Sequence, residues 1–195
     1  MQSLIAHPKL VACADGGANK AMSVGYSPDI IVGDLDSFVR TGNNFEHAEI
    51  IKVDSQKDTD FEKVLNFLLD RGFNEILVTA FSGGRIDQTL ANLQIAYQYS
   101  RKCKIILADN QYLIFPAHEN LSLDFGRGVN VSLVPMEDET ILSTSGLKYE
   151  LHRDSLRKGG QGISNRATNN RIEIAVHKGG LLVFVEDTKP CQGLS

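Results

Sequence analysis

The sequence is poor in three features that would assign it quickly to a class: paired cysteines, net charge of one sign and long apolar runs. Cys13, Cys103 and Cys191 are odd in number and widely spaced, so neither a disulfide framework nor a CxxC-type zinc site can be inferred from them, and a reducing cytoplasm fits best. A formal net charge of −4 over 195 residues offers no attraction for nucleic acid or an anionic membrane. No apolar stretch reaches the roughly 18 residues of a membrane span, and the N-terminus MQSLIAHPKL lacks the apolar core of a signal peptide. We therefore expect a cytoplasmic globular protein with neither a nucleic-acid nor a membrane partner.

Up to about residue 110, apolar runs of strand length alternate with segments of helical period, which is typical of a parallel sheet covered by helices. The runs are KLVACAD, DIIVGD, EIIKVD, EILVTAF and KIILAD. The clearest helix follows DTD, where Thr59 and Glu62 have capping-box spacing and Gly72 can close the C-terminus. Its predicted buried stripe consists of Phe61, Val64, Leu65, Leu68 and Leu69. A second helix is predicted from about Gln88 to Tyr99.

Beyond residue 110 the helical period disappears, and short apolar or alternating segments are separated by Gly, Asn, Asp and Ser. These segments are YLIFP, NLSLDF, NVSLVPM, RIEIAV and LLVFVE. This pattern favours an antiparallel sandwich or barrel. The predicted fold class is thus an α/β N-terminal domain with a parallel sheet, residues 1–112, followed by an all-β sandwich domain, residues 113–195.

Acidic or glycine-rich segments follow four of the predicted strands. They are Asp15 with Gly16 and Gly17, Asp34 with Asp36, Asp58 with Asp60, and SGGRID at 82–87. Because ligands bind beyond the carboxyl ends of parallel strands, we expect these segments to gather at one edge. Two carboxylates about 4 Å apart repel by about 4 kcal/mol at an effective dielectric near 20, so a cation is needed between such pairs. Mg²⁺ suits this setting, because it binds a few carboxylates together with water and substrate phosphate.

Each of these residues also has an ordinary structural explanation. Asp58 or Thr59 would cap the helix that follows, and Asp87 would cap the next one. The glycine pair at 83–84 would form only a turn, and Arg85 would make an ion pair on the surface. The coincidence of four such segments at successive strand ends favours a functional site over these separate explanations.

The segment DLDSF by itself is similar to the D-x-D of haloacid dehalogenase phosphatases, which follows a strand and contains a nucleophilic aspartate. The match is incomplete, because that family needs Thr or Val at the position where this chain has Phe38, after Ser37. The D-x-D of glycosyltransferases is shorter still and matches many sequences by chance.

The combined motifs resemble those of the thiamine pyrophosphokinase family, in order and at matching spacing. The segments that carry the resemblance are ADGGANKAMSVGYSPDIIVGDLDS, DSQKDTDFEKVL, FSGGRIDQTLANL, TSGLKYEL and GQGISN, within about residues 12–186. The resemblance implies an ATP- and Mg²⁺-binding catalytic domain, a thiamine-binding β-sandwich and a homodimer whose active sites combine both. It also implies transfer of the pyrophosphoryl group of ATP to thiamine, giving thiamine diphosphate and AMP.

The resemblance also implies roles for individual residues. Asp34, Asp36, Asp58 and Asp60 are the catalytic residues and the metal ligands, directly or through water, and one of them accepts the thiamine hydroxyl proton. The predicted ATP-binding residues are Asp15, Gly16, Gly17, Ser37, Gly83, Gly84, Arg85, Asp87 and Gln88. Gln88 replaces a histidine of many relatives and acts as a polar contact. The residues assigned to thiamine binding are Tyr149, Ser164 and Asn165. The ordinary structural explanation is a half-buried tyrosine in a strand for Tyr149, and a plain turn between strands for Ser164 and Asn165.

The chain departs from the family pattern in two places. It has no tryptophan, and Tyr149 occupies the motif position where many relatives have one. A cationic thiazolium gains about 0.5–2 kcal/mol from an aromatic face, so Tyr149 is the candidate for that contact. The chain also begins almost at KLVACADGGA, before which the family usually has a further strand and helix. Either the chain is shortened or the sheet lacks an edge.

Two other classes of function remain open at this point. One is a Mg²⁺-dependent phosphatase or nucleotide hydrolase, and the other is a non-catalytic nucleotide or thiamine sensor. Formation of AMP separates the kinase from the hydrolase, and any turnover excludes the sensor.

Overall fold

The computed structural model describes residues 8–36, 45–55 and 57–186, and its chain divides into two compact units between Phe73 and Asn74. The predicted ATP-binding residue Ser37 lies outside the described ranges, as does Cys191. The first unit contains the acidic strand ends, and the second contains SGGRID and the predicted thiamine motifs.

In its described residues the first unit contains a parallel sheet of three strands in the order β1-β2-β3 and two helices. The strands are β1 (Ala12–Ala14), β2 (Ile30–Gly33) and β3 (Glu49–Lys52), and the helices are α1 (Gly17–Ser23) and α2 (Asp60–Asp70). Helix α2 packs against β1 and β2. One buried cluster of this unit consists of Cys13, Ala18, Ile31 and Phe45. The parallel pairing predicted for these three apolar runs is confirmed.

Helix α2 has both of its predicted end signals. The Thr59 hydroxyl accepts from the Glu62 amide at 3.3 Å, and the Thr59 amide donates to the Glu62 carboxylate at 2.9 Å, which completes a capping box. At the other end Gly72 has φ +81°, and the Phe73 amide donates to the Leu68 carbonyl at 3.0 Å. The members of the predicted stripe that are fully buried are Val64, Leu65 and Leu68. The helix is therefore fixed by local signals as well as by packing.

Over residues 74–186 the second unit contains one helix and ten strands in two sheets. The elements are β4 (Glu75–Thr79), α3 (Ile86–Tyr99), β5 (Lys104–Ala108), β6 (Tyr112–Ala117), β7 (Leu121–Asp124), β8 (Asn130–Pro135), β9 (Thr140–Ser145), β10 (Asp154–Leu156), β11 (Asn165–Arg166), β12 (Arg171–Lys178) and β13 (Leu181–Glu186). One sheet has the order β10-β9-β12-β7 and the other β11-β8-β13-β6-β5-β4. Helix α3 begins two residues before the predicted start at Gln88. None of the described helices has the length and apolarity needed to cross a membrane.

The described parallel strands belong to two sheets rather than to the single sheet predicted. Strands β4 and β5 are parallel to each other, but β5 also pairs with the antiparallel β6 through Leu107 and Ile114. The intervening turn is closed by Asp109, whose carboxylate accepts from the amides of Gln111 and Tyr112 at 2.8 Å each. Because the chain reverses at this turn and β6 pairs directly with β5, the hydrogen bonding of one sheet continues across the predicted domain boundary at residue 112. The predicted functional division at 112/113 stays a prediction.

The five segments predicted as strands beyond residue 110 all form strands, and several show alternating burial. In β8 the side chains of Val131, Leu133 and Pro135 are buried, and in β12 those of Ile172 and Ile174 are buried. Strands β8 and β12 therefore present one apolar face, as the period of two predicts. The sequence did not predict β9, β10 or β11. Of these, β10 has only three residues and β11 only two, so neither gives a recognisable pattern.

The two described cysteines, Cys13 and Cys103, are free and buried. Burial, with a smaller contribution from Asp29, raises the pKa of the Cys13 thiol to about 11. This thiol therefore stays protonated at neutral pH and behaves as a small apolar side chain.

His118 follows β6 and is partly buried beside α3. Its Nε2 lies 3.0 Å from the Tyr97 carbonyl and 3.0 Å from the Ser100 hydroxyl. Because a carbonyl only accepts, Nε2 carries the proton, and within the described ranges Nδ1 is buried without a hydrogen-bond partner. Burial lowers the pKa of His118, and the charge of Arg101 acts in the same direction. The fold therefore favours the neutral imidazole.

Acidification is expected to destabilise the protein through His118. Since the folded-state pKa lies below the ordinary value near 6.5, the unfolded chain binds the proton more readily. The stabilisation is present above about pH 6.5 and is lost as the pH falls through the lowered pKa. The melting temperature of His118→Asn should thus fall less between pH 8 and pH 5.5 than that of the unmodified chain. His152→Asn, at an exposed histidine, is the matched control. Equal pH dependence in His118→Asn and the unmodified chain would contradict this assignment.

Candidate active site

Three carboxylates meet at the carboxyl ends of β1 and β2. Ligand oxygens of Asp15, Asp34 and Asp36 all lie within 4.8 Å of one another. The parallel register, in which Ala14 pairs with Val32, brings the residues that follow the two strands to the same edge of the sheet. Asp15 was predicted as an ATP-binding residue, and Asp34 and Asp36 as metal ligands. We call these three residues the acidic cluster.

The backbone of the acidic cluster is held in unusual conformations. Asp15 has φ +37° and Leu35 has φ +68°, in the region that residues with a Cβ rarely occupy. Gly33 permits the close approach of β2 to Asp15, because a Cβ on Gly33 would lie 2.9 Å from the Asp15 Cβ. Such conformations persist only where the surrounding structure enforces them, and they concentrate at functional sites.

A buried cation lies next to the acidic cluster. The side chain of Lys63 is 3% exposed, and its Nζ lies 2.8 Å from Asp60 Oδ1 and 3.7 Å from Asp34 Oδ2. The Asp36 amide donates to Asp34 Oδ1 at 3.3 Å. This backbone hydrogen bond, with the charge of Lys63, lowers the pKa of Asp34, and the hydrogen bond to Asp60 raises the pKa of Lys63. Asp34 is therefore held as a carboxylate and Lys63 as an ammonium.

Asp58 and Asp60 lie outside the acidic cluster. Asp58 is exposed and accepts from the Ser55 hydroxyl at 3.0 Å, whereas Asp60 is the first residue of α2 and pairs with Lys63. Thr59 is the N-cap of α2, so the capping explanation holds for Thr59 rather than for Asp58. Asp60 is connected to the acidic cluster through Lys63. The roles of Asp58 and Asp60 as metal ligands stay predictions.

The glycine-rich segment of the second unit connects β4 to α3. Gly83 has φ +91° and is exposed, as is Gly84. Arg85 is the N-cap of α3 and binds Asp87 with two hydrogen bonds, of 3.1 Å from Nε and 2.5 Å from a terminal nitrogen. This pairing raises the pKa of Arg85 and lowers that of Asp87. Asp87 also accepts from the Gln88 amide at 3.0 Å, so it serves the first turn of α3.

The predicted thiamine residues lie in the second unit, and the side chain of Asn165 holds the backbone of another of them, Tyr149. The Asn165 amide nitrogen donates to the Tyr149 carbonyl at 2.8 Å, and its amide oxygen accepts from the Tyr149 amide at 3.1 Å. The same oxygen accepts from the Arg166 amide at 2.8 Å. Since Asn165 is 7% exposed, its side chain is largely committed to the backbone of Tyr149. The structure thus gives Asn165 a positioning role that the sequence did not predict.

A cavity of about 90 Å³ lies beside Tyr149 and Asn165. Its remaining lining is Leu133, Leu151, Leu156, Gln161, Gly162 and Ile163. The ring of Tyr149 is exposed, and Lys148 Nζ lies 5.2 Å from its centroid. Ser164 has φ +63°, is exposed and donates its amide to the Ser132 hydroxyl. A larger groove of about 460 Å³ contains none of the predicted residues and is lined by residues 136–139, Lys158, Lys178 and Gly179.

Lys63 is the main site residue that sequence reasoning missed. It follows Asp60 by three residues on a helix, a spacing at which opposite charges commonly pair. That spacing was visible in the sequence. The burial and the contact with Asp34 depend on the packing of α2 against β2, which only the structure provides.

A carboxylate cluster at the ends of parallel strands is typical of enzymes that handle phosphate compounds with a divalent cation. The chain belongs to the thiamin pyrophosphokinase family. Residues 1–107 match the family model for "Thiamin pyrophosphokinase, catalytic domain", and residues 118–181 match that for "Thiamin pyrophosphokinase, vitamin B1 binding domain".

Relatives and solved structures agree with this family. The chain is 29% identical to thiamine pyrophosphokinase 2 of Arabidopsis thaliana, over 79% of this chain and 69% of the relative. It is 27% identical to the thiamine pyrophosphokinase of Bacillus subtilis, over 89% and 85% respectively. The crystal structure of thiamine pyrophosphokinase from Bacillus subtilis superposes with a TM-score of 0.82 at 22% identity, covering 96% of this chain and 92% of that one. Thiamin pyrophosphokinase from Candida albicans superposes with a TM-score of 0.76 at 21% identity, covering 91% and 82%. At these identities the superpositions show the fold.

Removal of the Asn165 side chain should destabilise the protein. Asn165→Ala leaves backbone groups of Tyr149 and Arg166 without their partners, which costs about 1–3 kcal/mol in the free energy of unfolding. Urea denaturation of the full chain measures this loss. Ser164→Ala removes an exposed hydroxyl and is the matched control, with little expected change. If Asn165→Ala unfolds at the same urea concentration as Ser164→Ala, the positioning role is wrong.

Proposed function

We propose that this chain catalyses transfer of the pyrophosphoryl group from ATP to thiamine, giving thiamine diphosphate and AMP, with Mg²⁺ bound at the acidic cluster. The match to both domains of the family carries the assignment of the chain as a thiamine pyrophosphokinase, a transferase of thiamine diphosphate biosynthesis. The chemistry of the carboxylates supports the metal-dependent part. The cytoplasmic location stays a prediction from the sequence.

Asp15, Asp34 and Asp36 would hold the Mg²⁺ ion. Their oxygens are hard ligands within 4.8 Å of one another, and the low pKa of Asp34 keeps that ligand charged. Bound there, Mg²⁺ would neutralise charge on the phosphate oxygens during transfer. Asp58 and Asp60 remain proposed ligands, directly or through water. One of the predicted aspartates would accept the proton of the thiamine hydroxyl.

The proposed ATP-binding residues provide accessible backbone groups and one guanidinium group, that of Arg85. Among the described residues, a Cβ at Gly17, Gly83 or Gly84 would meet nothing within 4 Å, which leaves these backbone positions open to a ligand. Arg85 already holds a bidentate carboxylate, and the same planar group fits a phosphate. Because Arg85 and Asp87 are both largely exposed, their ion pair is weak enough to be exchanged for a ligand. Gly16 and Gln88 complete the proposed set.

For thiamine, the proposed contacts are the Tyr149 ring and the Ser164 hydroxyl. The ring face of Tyr149 already has a lysine ammonium 5.2 Å from its centroid, which supports a role in receiving the cationic thiazolium. Asn165 would act by fixing the Tyr149 backbone, with its remaining N–H available to the ligand.

The homodimer is also part of the proposal, as the resemblance implies. Its support in the second unit is the pair Ile86 and Leu90, which lie one turn apart on α3 and are 86% and 57% exposed. Large apolar side chains grouped on a helix surface are often covered by a partner. A monomer mass by light scattering at micromolar concentration would refute this part.

Product analysis tests the proposed reaction. The full chain is incubated with ATP, Mg²⁺ and thiamine, and the products are identified by mass. We expect AMP and thiamine diphosphate in equal amounts, and a rate lower on the order of a hundredfold in Asp36→Asn, the scale of single electrostatic contacts to a transition state. Release of ADP or free phosphate, or ATP breakdown without thiamine, would indicate a hydrolase instead. A complete absence of turnover would favour the third class of function, a non-catalytic nucleotide or thiamine sensor.

A further inference from the structure

We propose that Lys63 is a built-in counter-cation of the acidic cluster, which keeps the site formed before a metal ion binds. The inference rests on the proposed metal-binding role of Asp15, Asp34 and Asp36. It adds a residue that no predicted motif role includes. Lys63 acts through the carboxylates rather than on the substrate, and is therefore a positioning residue.

The burial of Lys63 is the first observation. Its side chain is 3% exposed, although lysine is among the residues least often buried. Burial of an ammonium is costly unless carboxylates surround it, and Asp60 at 2.8 Å and Asp34 at 3.7 Å supply that pairing. The two carboxylates come from different elements, since Asp60 begins α2 and Asp34 follows β2. Lys63 therefore connects the helix to the strand end.

The orientation of Asp34 is the second observation. Its Oδ1 accepts from the Asp36 amide at 3.3 Å, and its Oδ2 faces Lys63. Both oxygens of this carboxylate are thus directed by protein groups. The side chain is 29% exposed, so it also remains open to a ligand.

The balance of charge gives the arrangement its function. Among the described residues, the Lys63 ammonium faces Asp34 and Asp60, and oxygens of Asp15 and Asp36 lie within 4.8 Å of an oxygen of Asp34, so the carboxylates of this group outnumber its ammonium. Enough positive charge is present to hold Asp34 in place without a metal, and enough negative charge remains to attract a divalent cation. Loss of Lys63 would leave the carboxylates to repel one another until a metal ion arrived.

The test compares full-length chains freed of metal with EDTA and then titrated with Mg²⁺ alone, followed by melting temperature and by calorimetry. Lys63→Met should lower the metal-free melting temperature. Mg²⁺ should then raise its melting temperature more than that of the unmodified chain, with a dissociation constant for Mg²⁺ about tenfold lower, because the ion replaces the missing charge. Lys63→Arg keeps the charge and should resemble the unmodified chain. Lys52→Met, which removes an exposed lysine paired with Asp54, is the matched control.

A second comparison does not depend on metal. Adding Asp34→Asn to Lys63→Met should recover part of the lost metal-free stability, because the repulsion is relieved, whereas Asp34→Asn alone should be destabilising. The double variant also provides a measurement if Lys63→Met alone fails to fold. If the unmodified chain binds Mg²⁺, an equal Mg²⁺ response of Lys63→Met would overturn the inference. Strictly additive effects of the two substitutions would overturn it in any case. If the unmodified chain binds no Mg²⁺ while the two substitutions remain coupled, the proposed metal site fails and the electrostatic pairing of Lys63 with Asp34 alone survives.

Discussion

Carboxylates that collect at the end of a parallel sheet must be matched by positive charge, and the first unit is organised around this requirement. The register of β1 and β2 fixes the positions of Asp15 and Asp34, because these residues follow two paired strands of a single sheet. Part of the required charge is internal and comes from Lys63, held in α2. The capping box and the apolar stripe of α2 therefore matter to the site as well as to the fold, since they fix the helix that positions this lysine.

The local backbone conformations follow from the same arrangement. Asp15 and Leu35 have positive φ, and Gly33 leaves room for Asp15, so the segments at the ends of β1 and β2 are both shaped by the close approach of the two strand ends. In the second unit, Ser164 also has positive φ and stands beside Asn165, which holds the Tyr149 backbone. In both places strain coincides with residues that the motifs single out, as is common where the backbone has to present groups to a ligand.

Much of the fold could be predicted from local patterns. The parallel strands β1 to β3, both ends of α2 and the strand-rich second half follow from apolar runs, capping signals and alternation, and these predictions are confirmed. The allocation of strands to sheets could not be predicted, because it depends on the turn at Asp109 and on which partner β5 pairs with. Likewise, the acids at the strand ends were evident, but the burial of Lys63 was not, since a lysine on a helix is normally solvated. Asn165 was assigned to thiamine from the family resemblance, and nothing in the sequence indicates that its amide is needed by Tyr149.

The central claim is that the acidic cluster of Asp15, Asp34 and Asp36 binds a divalent cation in the presence of Lys63. Anomalous diffraction from a crystal of the full chain soaked in Mn²⁺, with its X-ray energy set at the manganese edge, tests this most directly. The account predicts an anomalous peak between these three carboxylates at about 2.0–2.3 Å from at least two of them, the range of hard-cation oxygen contacts, with Lys63 still paired to Asp60. Manganese bound elsewhere in the first unit, with the three carboxylates unliganded, would contradict it.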